Sequence, residues 1–243
     1  MTTMNCTVSE SITPPRGNYT IGRAAEGSQD RLEREETFAG LPPASIDRFH
    51  PKSSSHRPVT TLRLGCTDET IIGRFDVKDR FVRATHTVPQ SMVCHDSCVE
   101  FFFRPEVDSG YFNFEFNPLG CVHASYITDW RRKGAFFEDY HSLTSAELGM
   151  MRTRASMKLP TTDYPSSELA GPLEWSVAFS VELKLIRKFC PTFEPGVSHS
   201  TGNFYKCGDR TSHPHWAAWG DVGEQLNFHQ PGNFLPLRFG SED

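Results

Sequence analysis

A chain of 243 residues with 37% hydrophobic and 12% aromatic residues can build one large cored domain or two small ones. Its formal net charge of −5 gives no broad electropositive surface, which argues against nucleic acid as a partner. No apolar run reaches the roughly 18 residues of a membrane-spanning helix, and residues 1–23 lack the apolar stretch of a secretory signal, so no membrane partner and a cytoplasmic chain are expected.

Residues 1–40 are polar and turn-rich, with a charged patch from Asp30 to Glu36 that reads as a solvated linker. Pro42, Pro43 and the serines at 53–55 continue that character, so residues 1–57 are expected to be an irregular N-terminal extension. From there the chain alternates as strands do. Val59–Leu64 comes first. Thr70–Val77 and Phe81–Thr87 follow, separated by a turn at Lys78, Asp79 and Arg80.

A hairpin spans about 97–117, with its turn marked by Pro105 and Asp108-Ser109-Gly110. Side chains alternate across a pleated strand. Val99, Phe101 and Phe103 therefore share one face, opposite Cys98, Glu100 and Phe102. On the second strand Phe112, Phe114 and Phe116 oppose Tyr111, Asn113, Glu115 and Asn117. One face is suited to an aromatic core. The other is a wall of acids and amides suited to a polar, neutral ligand, with a sugar the obvious candidate.

Gly120–Thr128 reads as a further strand, residues 129–146 as a long loop and Met150–Lys158 as a strand. Thr161–Pro172 reads as a polar connection. Trp175, Val177, Phe179 and Val181 line one face of the next strand and mark it as core. Leu183–Phe189 has the length of one or two helical turns stopped by Pro191. Gly202–Cys207, Trp216–Trp219 and Leu235–Phe239 complete the set. Many short strands with few helices predict an all-β fold, an antiparallel β-sandwich of the jelly-roll or immunoglobulin type with minor helical turns, over residues 58–240.

The cysteines at 6, 66, 94, 98, 121, 190 and 207 are odd in number and read as reduced thiols, mostly packed within strands. Cys94 and Cys98 could hold zinc only with two further ligands brought by the fold, from Cys121 or Cys207, so free thiols are the preferred reading. His213-Pro214-His215 reads as a loop rather than a metal pair.

Four motifs, taken in order, carry a family resemblance. They are Cys94-His95-Asp96-Ser97-Cys98-Val99-Glu100-Phe101-Phe102; Tyr111 to Asn117; Gly202-Asn203-Phe204-Tyr205-Lys206-Cys207-Gly208-Asp209; and the ending from Trp219 through Asn227-Phe228-His229-Gln230-Pro231-Gly232-Asn233-Phe234. Their order and spacing resemble the family 9 carbohydrate-binding modules, most of all the stand-alone family 9-like branch, over roughly 59–239.

The resemblance implies a β-sandwich that binds a small carbohydrate without catalysis, in carbohydrate catabolism. The bound unit would be the reducing-end sugar, clamped between two aromatic rings. It places one clamp position at Cys94, which has no ring, and the other at Phe228. It places an acidic hydroxyl partner at Glu100, polar contacts at Asn113, Glu115, Lys206 and His213, and a tryptophan beside the slot at Trp219. Some members carry structural calcium, for which Asp96, Asp209 and Asp221 offer oxygens. The residues themselves show no calcium-loop spacing, and no cofactor is expected from them. Two alternatives stay open. One is a structural or interaction sandwich that has lost sugar binding, given Cys94, Lys206 and His213. The other is a glycoside hydrolase using Glu100 and Glu115 as its carboxylate pair.

Overall fold

The computed structural model describes residues 17–158 and 168–240, so Cys6 and the 161–167 part of the polar connection lie outside the described residues. The strands are β1 (Tyr19–Arg23), β2 (Pro43–Ser45), β3 (Arg48–Phe49), β4 (Val59–Cys66), β5 (Thr70–Val82), β6 (Cys98–Arg104) and β7 (Tyr111–Phe116). They continue with β8 (Val122–Lys133), β9 (Phe136–Ser142), β10 (Met151–Ala155), β11 (Leu169–Glu182), β12 (Ser200–Cys207), β13 (Trp216–Ala218) and β14 (Leu235–Phe239). Two short helices, α1 (Ser145–Leu148) and α2 (Leu183–Phe189), interrupt them.

The strands form the two sheets of a sandwich, as the alternation predicts. The first runs β14-β12-β6-β7-β8-β9, with β13 on the far half of β12 and β3 on β13. The second runs β4-β5-β11-β10, with β2 on β4. Strand β1 belongs to both. Its first residues pair in parallel with β14 (Tyr19 opposite Leu237) and its last with β4 (Gly22 opposite Gly65). Residues 19–23 and 43–49 of the expected extension thus pair with strands of the sandwich. Ile21 is buried between the sheets, and the Tyr19 hydroxyl donates to the Pro42 carbonyl at 2.6 Å and accepts from the Leu64 N–H at 2.9 Å.

Phe179 of β11 joins the two layers. Its ring lies 4.9 Å from that of Phe116, 6.0 Å from that of Phe101 and 6.0 Å from that of Phe75. The residue opposite it on β5 is Gly73, where an added Cβ would stand 2.3 Å from the Phe179 ring. The close approach of the ring to the strand is the reason that position carries no side chain. Phe101, Phe103, Phe112, Phe114 and Phe116 all point into this core, so the 97–117 hairpin has the facing its sequence predicts.

Two stretches differ from expectation. Lys78, Asp79 and Arg80 do not turn. They continue β5 with Lys78 and Arg80 exposed and Asp79 inward, because Asp79 finds buried partners: His56 Nε2 at 2.6 Å and the N–H groups of Arg80 and Phe81. Residues 129–142 are not a loop but the outer half of a β8–β9 hairpin turning at Gly134 (φ +66°). Both faces of that arm are largely solvated, so its sequence carries no hydrophobic alternation to announce a strand.

Phe179→Ala is expected to cost about 3–5 kcal/mol, the range for emptying a buried Phe site. Urea unfolding measures it; a loss under about 1 kcal/mol would mean that the ring does not couple the sheets.

Candidate functional site

The period-two pleat that buries the phenylalanines of β6 and β7 sends their polar neighbours to the opposite face of the same sheet. Register then sets them side by side: Tyr205 of β12, Glu100 of β6, Glu115 of β7 and His123 of β8 form one rung across four strands. Asn113 and Ser125 are partners on the next rung. Half of this outer face is closed. Phe102, Tyr111, Tyr205, Val222 and Phe234 form a second apolar cluster under the 222–234 loop. The other half opens as a cleft of about 460 Å³, within the size range of small-ligand sites.

Glu100, Asn113, Glu115, His123, Ser125 and Cys207 form its floor. Gln90, Met92 and Cys94 bound it on one side, with Trp216 and Asp209 beside them. Leu226 to His229 bound it on another, and Arg132, Phe136, Phe137 and Tyr140 of the β8–β9 arm on a third. Phe228 stacks on Tyr205 with ring centroids 4.1 Å apart and planes 10° apart, so its ring is held in one orientation at the cleft edge. The Trp216 indole N–H donates to Asp209 Oδ1 at 2.7 Å, which fixes that ring as well. Trp216, Phe228 and Cys94 all pack against the same cluster of Val93, Cys98, Cys121 and Cys207.

The floor is acidic, and both of its acids are buried. Burial, then the neighbouring Glu115 carboxylate, hold Glu100 well above the usual carboxylate range, against a hydrogen bond from the Cys207 thiol at 3.2 Å. Burial raises Glu115 too. His123 and the Asn113 amide, which donates to Glu115 Oε1 at 2.8 Å, oppose that rise. The two acids thus share a site that disfavours two negative charges. Protonated, a carboxyl can donate as well as accept, which suits hydroxyl groups that do both.

Five of the eight sequence-proposed site residues, Cys94, Glu100, Asn113, Glu115 and Phe228, line this cleft. Lys206, His213 and Trp219 do not. Lys206 lies opposite Val99, so it shares the inward parity of Phe204 and points between the sheets, fully buried. There its ammonium donates to the Cys207 carbonyl at 2.9 Å and to His215 Nε2 at 2.8 Å, and lies 3.7 Å from Asp79 Oδ2. Burial, with Lys206 adding to it, pushes His215 down to about 3, so it stays neutral and accepts that bond. His213 stacks on Phe81 with centroids 3.8 Å apart, on the far side of this cluster. Trp219 packs on Phe204 and Tyr19 in the core.

Trp216, Arg132 and the aromatic residues of the arm are cleft residues the sequence reasoning missed. The signal for Trp216 was its spacing from Trp219: three residues apart at a strand end, the two rings take opposite faces.

The oxygens proposed for calcium do not converge. Both Asp96 oxygens are engaged by Thr85, His86 and Asn117, Asp209 holds the Trp216 indole, and Asp221 accepts from the Gly223 N–H. Among the described residues the one group of three metal-ligating side chains is Cys98, Glu100 and Cys207, whose thiols do not suit calcium.

Because its folded-state pKa is raised, Glu100 contributes stability that is fully present below the ordinary carboxylate pKa and is lost as pH rises through the elevated value. Glu100→Gln removes that loss. Thermal unfolding between pH 4 and pH 9 is therefore expected to show the variant gaining on the parent chain as pH rises; parallel curves would mean that Glu100 is not held protonated.

The comparisons with known proteins agree with the geometry. The family model for carbohydrate-binding family 9 matches residues 36–239. The chain is similar to a solved candidate carbohydrate-binding protein from Bacteroides uniformis, at 26% identity and a TM-score of 0.77, over 92% of this chain and 99% of that one. In fold it is similar to a family 9 module from Caldicellulosiruptor kristjanssonii solved with glucose (10% identity, TM-score 0.59, 93% and 97% covered). The same module solved with cellotriose gives 9% identity and a TM-score of 0.57, with 93% and 95% covered. No protein with a curated description matches in sequence. With the match spanning most of the sandwich, this chain belongs to carbohydrate-binding family 9.

Proposed function

We propose that the cleft binds a mono- or short oligosaccharide without catalysis, with the reducing-end unit seated over Glu100 and Glu115 as part of a carbohydrate-catabolic role. The observation that carries this reading is an open slot whose floor is a rung of acids and amides and whose edges are two fixed aromatic rings, Trp216 and Phe228. A pyranose ring presents C–H-rich faces, which pack on aromatic rings, and hydroxyls around its edge, which need donors and acceptors. Carboxyl and amide groups supply these, at about 0.5–1.5 kcal/mol net for each neutral bond and about 1.5–3 kcal/mol for one to a charged group. His123 adds a polar group from the floor and Arg132 donors from the arm side.

Trp216 offers an indole in the part of the cleft where Cys94 lacks a ring. That answers the strongest reason for reading the sandwich as one that has lost its ligand. The family relation and the glucose- and cellotriose-bound modules support the same ligand class.

Calorimetric titration with glucose, cellobiose, cellotriose and a wider panel of mono- and disaccharides tests the proposal. Saturable binding of at least one sugar is expected, with quenching of tryptophan fluorescence. Trp216→Ala is expected to weaken that binding by roughly 5- to 150-fold, taking a stacked ring as worth about 1–3 kcal/mol. A panel without binding at millimolar concentration would leave an interaction scaffold. Turnover of aryl glycosides that disappears in Glu100→Gln would replace binding by hydrolysis.

A further inference from the structure

At the cleft floor two thiols that carbohydrate recognition does not call for converge on Glu100, one of the sugar-facing acids. Cys98 and Cys207 are directly opposite each other across β6 and β12, and Glu100 is two residues along β6 on the same face. One ligand atom from each lies within 4.8 Å of the other two, and Cys207 Sγ stands 3.2 Å from a Glu100 oxygen. We infer that Cys98, Glu100 and Cys207 form a binding site for a thiophilic divalent cation of the zinc class, entered from the cleft.

The spacing fits. Zinc–sulfur bonds of about 2.3 Å and zinc–oxygen bonds of about 2.0 Å put tetrahedral ligands roughly 3.5–3.8 Å apart. The three atoms lie within 4.8 Å of one another, and side-chain rotation closes them onto that triangle. The donor set discriminates as well. Two thiolates and one carboxylate suit zinc, whereas calcium takes six to eight oxygens and magnesium an octahedron of them.

The site is rigid, since all three residues sit on central strands and are 0%, 3% and 1% exposed for Cys98, Glu100 and Cys207. No ion pair reaches Glu100 among the described residues, and Lys206, the cation next to Cys207 in sequence, faces the other side of the sheet. An arriving cation therefore finds Glu100 with no ion-pair partner to displace among the described residues.

Glu100 and Cys207 line the cleft, so the fourth coordination position opens into it. A water or a ligand oxygen completes the tetrahedron there. Binding converts each thiol to a metal-bound thiolate and Glu100 to a metal-bound carboxylate, so the two thiol protons and the proton that Glu100 holds leave to solvent, up to three per ion, and no electron changes hands. The bound site carries a net charge of about −1, from two thiolates and one carboxylate against a 2+ ion.

The test uses the full chain, reduced with a phosphine, stripped with a chelator, desalted and titrated anaerobically with Co²⁺ and then Zn²⁺. One equivalent of Co²⁺ is expected to give thiolate-to-cobalt charge-transfer absorption with the visible bands of a tetrahedral ion. Zn²⁺ should bleach both by displacing the cobalt, with the proton release, up to three per site, accompanying whichever metal enters the empty site first. Cys98→Ser and Cys207→Ser are each expected to weaken binding by about tenfold or more and to reduce the charge-transfer intensity. Cys121→Ser, in the same apolar cluster but outside the triad, should leave the titration unchanged. No charge-transfer band at one equivalent in the parent chain overturns the inference whatever the variants do. So does an undiminished band in a folded Cys98→Ala/Cys207→Ala double variant. Sugar titrations on the metal-free chain are read separately, so neither proposal's failure can pass for the other's.

Discussion

The contact of Phe179 with Phe75, Phe101 and Phe116 fixes which side of the first sheet faces inward, and the rest of the molecule follows from that choice. In a pleated strand a side chain has no freedom to change faces without a shift of register, and such a shift would turn Phe101, Phe103, Phe112, Phe114 and Phe116 out of the core. Burying five rings inward on these two strands therefore presents Glu100, Asn113 and Glu115 outward as a set. The site is the reverse side of the core, and its geometry is as rigid as the packing behind it.

That rigidity explains how two acids can share a buried floor. A carboxylate on a mobile loop would move toward water. Glu100 and Glu115 are held on adjacent strands, directly opposite each other, with the 222–234 loop and the β8–β9 arm limiting solvent. The unfavourable proximity is relieved by holding protons, by the Asn113 amide and by the Cys207 thiol. A polar ligand, or a cation between the two thiols and Glu100, relieves it further. A floor of this kind favours occupation because its groups are already desolvated and already oriented.

The same parity accounts for Lys206, His213 and Trp219. A sequence motif preserves order along the chain but says nothing of side. Phe204 and Lys206 alternate with Tyr205 and Cys207, and both pairings contain one aromatic residue, so composition alone does not say which pair is inside. Pairing with β6 settles it: Lys206 opposite Val99 goes in, Cys207 opposite Cys98 goes out. A buried ammonium there is tolerable because Asp79, His215 and a carbonyl surround it, and Asp79 is inward because β5 runs on through a charged triplet that resembles a turn.

The sequence by itself determined the sandwich class, the aromatic and acidic faces of the central hairpin, the α2 turn and the family resemblance. Each is written in local alternation or in ordered motifs, and a period of two survives without knowledge of any partner strand. Only the tertiary structure decided that residues 19–23 lie between the sheets, that the cleft is open, that Trp216 rather than Trp219 faces it, and that Cys207 meets Cys98 and Glu100. Those facts rest on register between strands that are not neighbours in a local pattern and on loops folding over one half of a face. No local pattern encodes either, because the free energy that selects them comes from burying surfaces that meet only when the whole sandwich closes.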